Sequence, residues 1–69
     1  MSEHTYKIIE LVGSSKDSSD DAIRNAITRA GESINHMRWF QVVETRGYID
    51  DGNVAYWQVT IKVGFTVGE

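Results

Sequence analysis

Apolar and polar residues alternate along the last part of the chain, from Val54 to Val67. Strict alternation over such a length is typical of a β-strand with one apolar and one polar face. The apolar set is Ala55, Trp57, Val59, Ile61, Val63, Phe65 and Val67. At about 3.3 Å per residue this strand extends roughly 45 Å, so the rest of the fold is expected to be arranged around it.

A helical pattern precedes this strand. Between Ser19 and His36, apolar residues recur every three or four positions and form one stripe with polar residues opposite. The stripe consists of Ile23, Ile27, Ala30, Ile34 and Met37. Ser18 or Ser19 supplies a side-chain oxygen for the N-cap. Asp20 and Asp21 in the first turn favour the positive end of the helix dipole. One amphipathic helix of roughly 27 Å is predicted, at about 1.5 Å per residue.

Two further strands complete the pattern. Thr5–Val12 is rich in β-branched and aromatic residues, and a turn-rich stretch over 13–19 links it to the helix. A second strand runs from about Arg38 to Ile49, and Asp50–Asn53 predicts a tight turn into the final strand. The expected fold class is α+β: a β-α-β-β chain whose three-stranded antiparallel sheet partly wraps around one helix. We expect the first strand to pair with the third, which gives the strand order 1-3-2.

The predicted turn also fixes a register between the second and third strands. Counting back from the turn, Trp39 lies opposite Gly64, and Thr45 lies opposite Gln58. Trp39 then stands on the sheet face away from the helix, beside a residue that has no side chain to cover it. A bulge in either strand would invert this assignment.

The helix is too short to cover the whole apolar face of the third strand. The chain has 69 residues and no cysteine, and at this size a single hydrophobic core gives only marginal stability. Oligomerisation is the remaining way to cover the apolar surface. We therefore expect residues 1–69 to form one domain that associates with further copies of itself.

Charge and hydropathy exclude several classes of partner. The net charge is −3 and the seven basic residues are scattered, so no electrostatic footprint for nucleic acid or an anionic membrane is present. No apolar run approaches the roughly 20 residues of a membrane span, and the first residues do not resemble a signal peptide. The expected location is the cytoplasm.

Trp39 and Gln58 are the two residues that suggest a ligand. An exposed indole beside Gly64 is a stacking platform for a flat ligand, or alternatively an anchor buried at a subunit interface. The amide of Gln58 offers donors and an acceptor, which suits the polar edge of a ring, or alternatively only solvent. Gln58 and Gly64 are six residues apart on one strand, roughly 20 Å. Different subunits are therefore expected to supply the two residues to one small ligand.

Signals for catalysis and metal binding are weak. The chain has no cysteine, no glycine-rich phosphate loop and no local Ser-His-Asp arrangement. Helix capping explains the acidic residues Asp17, Asp20 and Asp21 better than a calcium loop does. We therefore expect a binding protein rather than an enzyme, and no metal site.

Four short stretches, taken together, resemble the dodecins, a family of small flavin-binding proteins. They are Tyr-Lys-Ile-Ile-Glu-Leu-Val-Gly-Ser-Ser over 6–15, Trp-Phe-Gln-Val-Val-Glu over 39–44, Tyr-Trp-Gln-Val over 56–59 and Val-Gly-Phe over 63–65. Each stretch alone is a weak signal, but their joint order and spacing cover essentially the whole chain. The resemblance implies the same β-α-β-β fold and assembly into a hollow homododecamer with flavins at subunit contacts.

The resemblance also assigns roles to individual residues. Trp39 matches the tryptophan that stacks on the isoalloxazine ring of FMN or riboflavin, and Gln58 matches the glutamine that hydrogen-bonds the ring edge. Arg46 resembles a basic residue near the flavin phosphate of bacterial-type members. His4 and Tyr6 border the same pocket.

Two further expectations come from the resemblance. Coenzyme A is a possible second ligand, although Thr66 stands where some bacterial-type members carry an arginine. The implied function is flavin storage, in which Trp39 donates an electron to the photoexcited ring and recovers it. The alternative is a structural or interaction module that oligomerises without a flavin. A flavin enzyme and a single-stranded nucleic acid binder have less support.

Overall fold

A computed structural model describes residues 3–68. Its elements are β1 (Thr5–Ser15), α1 (Ser19–Ala30), β2 (Met37–Asp50) and β3 (Asn53–Val67). The three strands form one antiparallel sheet in the order β1-β3-β2. The predicted fold class, element order and strand order are confirmed.

Helix α1 begins as predicted and ends earlier than predicted. The Ser18 hydroxyl oxygen accepts a hydrogen bond of 3.0 Å from the backbone N–H of Asp21. The helix ends at Ala30 rather than His36, and Gly31 forms its C-cap. Met37 packs against the core from β2 instead of from the helix, so its place in the helical spacing was misleading. His36 adopts a positive φ of 68°, which belongs to the turn into β2.

Strand β1 is longer than predicted and includes residues assigned to a turn. Gly13, Ser14 and Ser15 pair with Val59, Gln58 and Trp57 of β3. A Cβ atom on Gly13 would overlap the carbonyl oxygen of Ala22 and lie 2.9 Å from the Cβ of Ala26. Glycine is thus present because α1 crosses β1 closely at this point, and not because the chain turns there.

The register between β2 and β3 follows the prediction next to the turn and again from Val42 to Trp39, but not in between. Trp39 lies opposite Gly64, as predicted. Counted from the turn, Ala55 is an extra residue on β3 and shifts the pairs that come next, from Tyr48 with Tyr56 to Glu44 with Thr60. The bulge at Val43 on β2 then restores the predicted count. The predicted pairing of Thr45 with Gln58 is therefore wrong, and Arg46 occupies the position opposite Gln58.

The hydrophobic core lies between α1 and the two strands β1 and β3. Its buried members are Ala22, Ala26, Val59, Ile61 and Val63. Helix α1 packs on β1 and β3, whereas Phe40 and Ile49 of β2 are 47% and 79% exposed. Apolar surface is thus left uncovered within one chain, but mainly on β2. On β3, part of whose apolar face was predicted to lack cover, Val59, Ile61 and Val63 are buried and Val67 at the strand end is exposed.

Within residues 3–68, α1 is the helix of the fold, and it lacks the length and apolar character of a membrane-spanning segment.

Candidate functional site

Four of the five candidate residues lie on the sheet face away from α1, which we call the outer face. Residues directly opposite each other on antiparallel strands share a face. Trp39 pairs with Gly64, Arg46 pairs with Gln58, and Tyr6 pairs with Thr66. Since Gln58, Gly64 and Thr66 alternate with the buried residues of β3, all these pairs lie on the outer face.

Trp39 is held against the backbone of Gly64. A Cβ atom on Gly64 would overlap the six-membered ring of the Trp39 indole, so the indole lies directly over the glycine. The side chain of Trp39 is packed on this side, yet the residue is still 39% exposed. The predicted partly exposed indole beside a residue without a side chain is therefore present, and the indole covers that glycine.

Two further aromatic rings extend from Trp39 towards the start of β1. The ring centroid of Tyr6 lies 6.2 Å from that of Trp39, at an interplanar angle of 61°. The rings of Tyr6 and His4 lie 6.3 Å apart at 62°. Both contacts are edge-to-face, an arrangement that stabilises aromatic pairs. We call His4, Tyr6 and Trp39 the aromatic row.

A second group of side chains surrounds Gln58. The Nε of Arg46 donates a hydrogen bond of 3.1 Å to Gln58 Oε1, and Gln58 Nε2 donates a long one of 3.4 Å to Ser14 Oγ. The Arg46 guanidinium also forms an ion pair with Glu44, with 3.0 Å between Nη1 and Oε2. We call Ser14, Glu44, Arg46 and Gln58 the polar cluster.

The charge of Arg46 is secured by its neighbours. Hydrogen bonding to Glu44 is the main cause that raises the pKa of Arg46 above its usual value, and hydrogen bonding to Tyr48 adds to the effect. A guanidinium therefore faces Gln58 at every physiological pH, and it can only donate hydrogen bonds.

The two groups lie far apart within one chain. Gln58 and Gly64 are six positions apart on β3, which corresponds to roughly 20 Å. The structure thus brings His4 and Tyr6 to Trp39, and Arg46 to Gln58, but it does not bring Trp39 to Gln58. One small ligand therefore cannot touch both groups of the same chain.

Sequence reasoning missed Glu44, Ser14 and Tyr48 as members of this region, and it considered Tyr56 only as a stacking platform for a single-stranded nucleic acid. The rings of Tyr48 and Tyr56 are stacked, with centroids 4.7 Å apart and an interplanar angle of 17°. Tyr56 and Gln58 also line an open depression of about 480 Å³ with Ser14, Ser15 and Lys16. One sequence signal could have shown that Glu44 and Arg46 lie on the outer face. It is the adjacent apolar pair Val42 and Val43, which breaks the alternation of β2 and marks the bulge.

Among residues 3–68, no three His, Cys, Asp or Glu side chains converge in a way that could hold a metal ion.

Comparisons with known proteins point to one family. The sequence model of the Dodecin family matches residues 5–68. A relative, the dodecin of Thermus thermophilus, is 42% identical over 64 residues, which cover 93% of each chain. The calcium dodecin of Mycobacterium tuberculosis is 28% identical over 60 residues, which cover 87% of this chain and 84% of that protein. The structure of the dodecin from Streptomyces davaonensis superposes with a TM-score of 0.93 at 50% identity, covering 99% of this chain and 100% of that one.

Proposed function

This chain belongs to the dodecin family, and from that premise we propose that it sequesters FMN or riboflavin between subunits and quenches the photochemistry of the bound ring. The dodecins are small flavin-binding proteins. The observation that carries the proposal is the position of Trp39, whose indole lies over Gly64 on the outer face and is still 39% exposed.

Trp39 provides the stacking surface. An indole packed on backbone at one side is restricted in its orientation, so less conformational freedom is lost when a flat ring stacks on it. Tyr6 restricts it further through its edge-to-face contact. The isoalloxazine ring of a flavin is a planar group that such a platform fits.

Gln58 provides the polar contact. Its amide carries both donors and an acceptor, and it is half-buried in the polar cluster. The pyrimidine edge of a flavin carries two carbonyl oxygens and one N–H between them, so a primary amide forms two hydrogen bonds with it. The roughly 20 Å between the two contacts in one chain supports a site in which Trp39 and Gln58 belong to different copies.

The uncovered apolar surface of β2 supports the same assembly. Phe40, Val42 and Ile49 are exposed in a single chain, and burying such surface against another copy is favourable at about 25 cal/mol per Å². A homododecamer is the assembly that we propose, in keeping with the family. Coenzyme A stays a prediction of the resemblance, and Thr66 supplies no positive charge for its phosphates.

The proposed role is storage without turnover, in the cytoplasm. A bound flavin supplies a ring that becomes a strong oxidant when it absorbs light. Trp39 in contact with that ring donates an electron and recovers it, so the excitation ends before other molecules react. The calcium named for the M. tuberculosis relative is not extended to this chain.

A fluorescence titration in the dark tests the proposal. The protein is added to FMN and, separately, to riboflavin, and flavin emission is followed to saturation. We expect strong saturable quenching by the parent protein and loss of quenching for Trp39→Ala. The matched control is Trp57→Phe, which changes the tryptophan on the opposite sheet face and leaves quenching intact.

Two results would contradict the proposal. A folded oligomer that leaves flavin emission unchanged would favour the structural module instead. Equal quenching by Trp39→Ala and the parent would show that the flavin binds elsewhere.

A further inference from the structure

Arg46 shares the outer face with Trp39 because of the bulge at Val43. Seven positions separate Trp39 from Arg46 on β2, so strict alternation would place the two side chains on opposite faces. The extra residue at Val43 restores Arg46 to the outer face, where it lies directly across from Gln58. Relative to the pair of Trp39 with Gly64, the bulge therefore places Arg46 rather than Thr45 across from Gln58.

The contact determines which way the Gln58 amide points. Arg46 Nε is a donor only, so the atom that faces it at 3.1 Å has to be the amide oxygen. The amide nitrogen is then directed towards Ser14 Oγ, 3.4 Å away. Glu44 forms an ion pair with the same guanidinium, so the orientation of the Gln58 amide is coupled to that of the Arg46 side chain.

The direction of the amide decides where a flavin ring lies. The pyrimidine edge presents acceptor, donor and acceptor in order, so a free amide has two equivalent ways to bind it, one with each carbonyl. The two ways displace the ring laterally with respect to any stacking partner. An amide fixed by Arg46 selects one of them.

Consider a flavin bound by Gln58 of the same chain as Arg46. The same geometry disfavours a contact between Arg46 and the phosphate of that flavin. Two of the guanidinium nitrogens are already used by Gln58 and Glu44. The ribityl phosphate leaves from the central ring, away from the edge that Gln58 would bind. Arg46 is thus placed beside the wrong part of that ligand to hold its phosphate.

We propose that Arg46 is a positioning residue that fixes the amide of Gln58 and thereby the lateral position of the bound ring over Trp39. This inference rests on the proposed flavin function. It predicts that Arg46 matters equally for riboflavin, which has no phosphate, and for FMN.

A double-mutant cycle with both ligands tests this role. The parent, Arg46→Met, Gln58→Ala and the double variant are each titrated in the dark with riboflavin and with FMN. We expect Arg46→Met to weaken both ligands by the same factor, about five- to tenfold, in the range of a typical net hydrogen bond. In the Gln58→Ala background, Arg46→Met is expected to change flavin affinity by less than about twofold, because Arg46 acts through the amide that Gln58→Ala removes.

A spectroscopic readout separates positioning from a purely structural effect. Bound flavin in the parent is expected to show one dominant excited-state lifetime, since the ring has one position over the indole. In Arg46→Met a second, longer lifetime is expected from rings displaced on Trp39. Arg24→Met is the control for loss of a positive charge, because Arg24 lies on α1, away from the outer face.

Several outcomes would overturn the inference. Weakened FMN binding with unchanged riboflavin binding would assign Arg46 to the phosphate, and full additivity with Gln58→Ala would make it an independent contact. If Arg46→Met fails to assemble, Arg46→Lys keeps a charged donor and is expected to weaken both flavins equally, by a smaller factor. A parent protein that binds neither flavin would reject the proposed function itself, which distinguishes that failure from the others.

Discussion

The two ends of the outer face hold their functional side chains in different ways. In the aromatic row, Trp39 is held by shape, because its indole lies on the bare backbone of Gly64 and in edge-to-face contact with Tyr6. In the polar cluster, Gln58 is held by directed hydrogen bonds from Arg46, which Glu44 holds in turn. The aromatic row should therefore be sensitive to added volume, and the polar cluster to lost charge.

The largest effect is expected from adding one carbon atom to Gly64, beneath the indole of the aromatic row. Gly64→Ala places a Cβ where the Trp39 indole lies, so the indole has to move off the platform. We expect flavin affinity to fall at least about tenfold, in the range of about 1.4 kcal/mol or more. Because the indole is partly exposed and can swing outward, the thermal unfolding temperature should change little.

Gly47→Ala is the matched control for this prediction. A Cβ atom on Gly47 would make only ordinary contacts, the nearest at 3.5 Å from the Tyr56 carbonyl oxygen. Its flavin affinity should equal that of the parent. Equal losses in both glycine variants would mean that strand stiffness matters, and not the space beneath the indole.

A smaller effect is expected from removing the ring that borders Trp39. Tyr6→Leu keeps an apolar side chain but removes the edge-to-face contact, which is worth about 0.5–1.5 kcal/mol in such pairs. We expect a loss in flavin affinity of about threefold in the quenching titration. Tyr6→Phe keeps the ring and should bind as the parent does, so a loss in Tyr6→Phe would assign the effect to the hydroxyl group instead.

The smallest effect is expected from the charged pair at the other end. Glu44→Gln removes the partner of Arg46, but the pair is solvent-exposed, and such pairs contribute little. We expect affinity to fall about twofold at low ionic strength, and the difference to shrink as salt is added. Glu10→Gln, an acid on the outer face of β1 opposite Lys62, should show neither change. A salt-independent loss in Glu44→Gln would show that charge is not what holds the polar cluster.

The aromatic row could be predicted from sequence further than the polar cluster. The alternation of β3 assigns its two faces directly, and the turn at 50–53 gives the pairing of Trp39 with Gly64. That pairing is right although the strands are irregular, because Ala55 is extra on β3 and Val43 is extra on β2. These two irregularities cancel from Val42 to Trp39, so a simple count succeeds there, and a third irregularity at Arg38 shifts only the last pair, Met37 with Phe65.

Between the two irregularities the same count fails. The pairing of Thr45 with Gln58 was predicted there, and it is wrong because only one extra residue has been passed. A bulge depends on local backbone twist and on packing against neighbours, which composition does not encode. The end of α1 escaped prediction for a related reason, since Met37 contacts the same core from a different element.

Two of the three irregularities of the β2–β3 hairpin, at Val43 and Ala55, also constrain how such a chain can change its length. An insertion or deletion that removes the extra residue at Val43 alone would invert the faces of every position on one side of it. Removing Ala55 alone would also invert the faces on one side of it. Removing both extra residues would leave Trp39 opposite Gly64 and change the pairing only in the segment between Val43 and Ala55. Anyone who transplants the contact between Arg46 and Gln58 into another hairpin therefore has to carry Val43 through Thr60 as one unbroken unit.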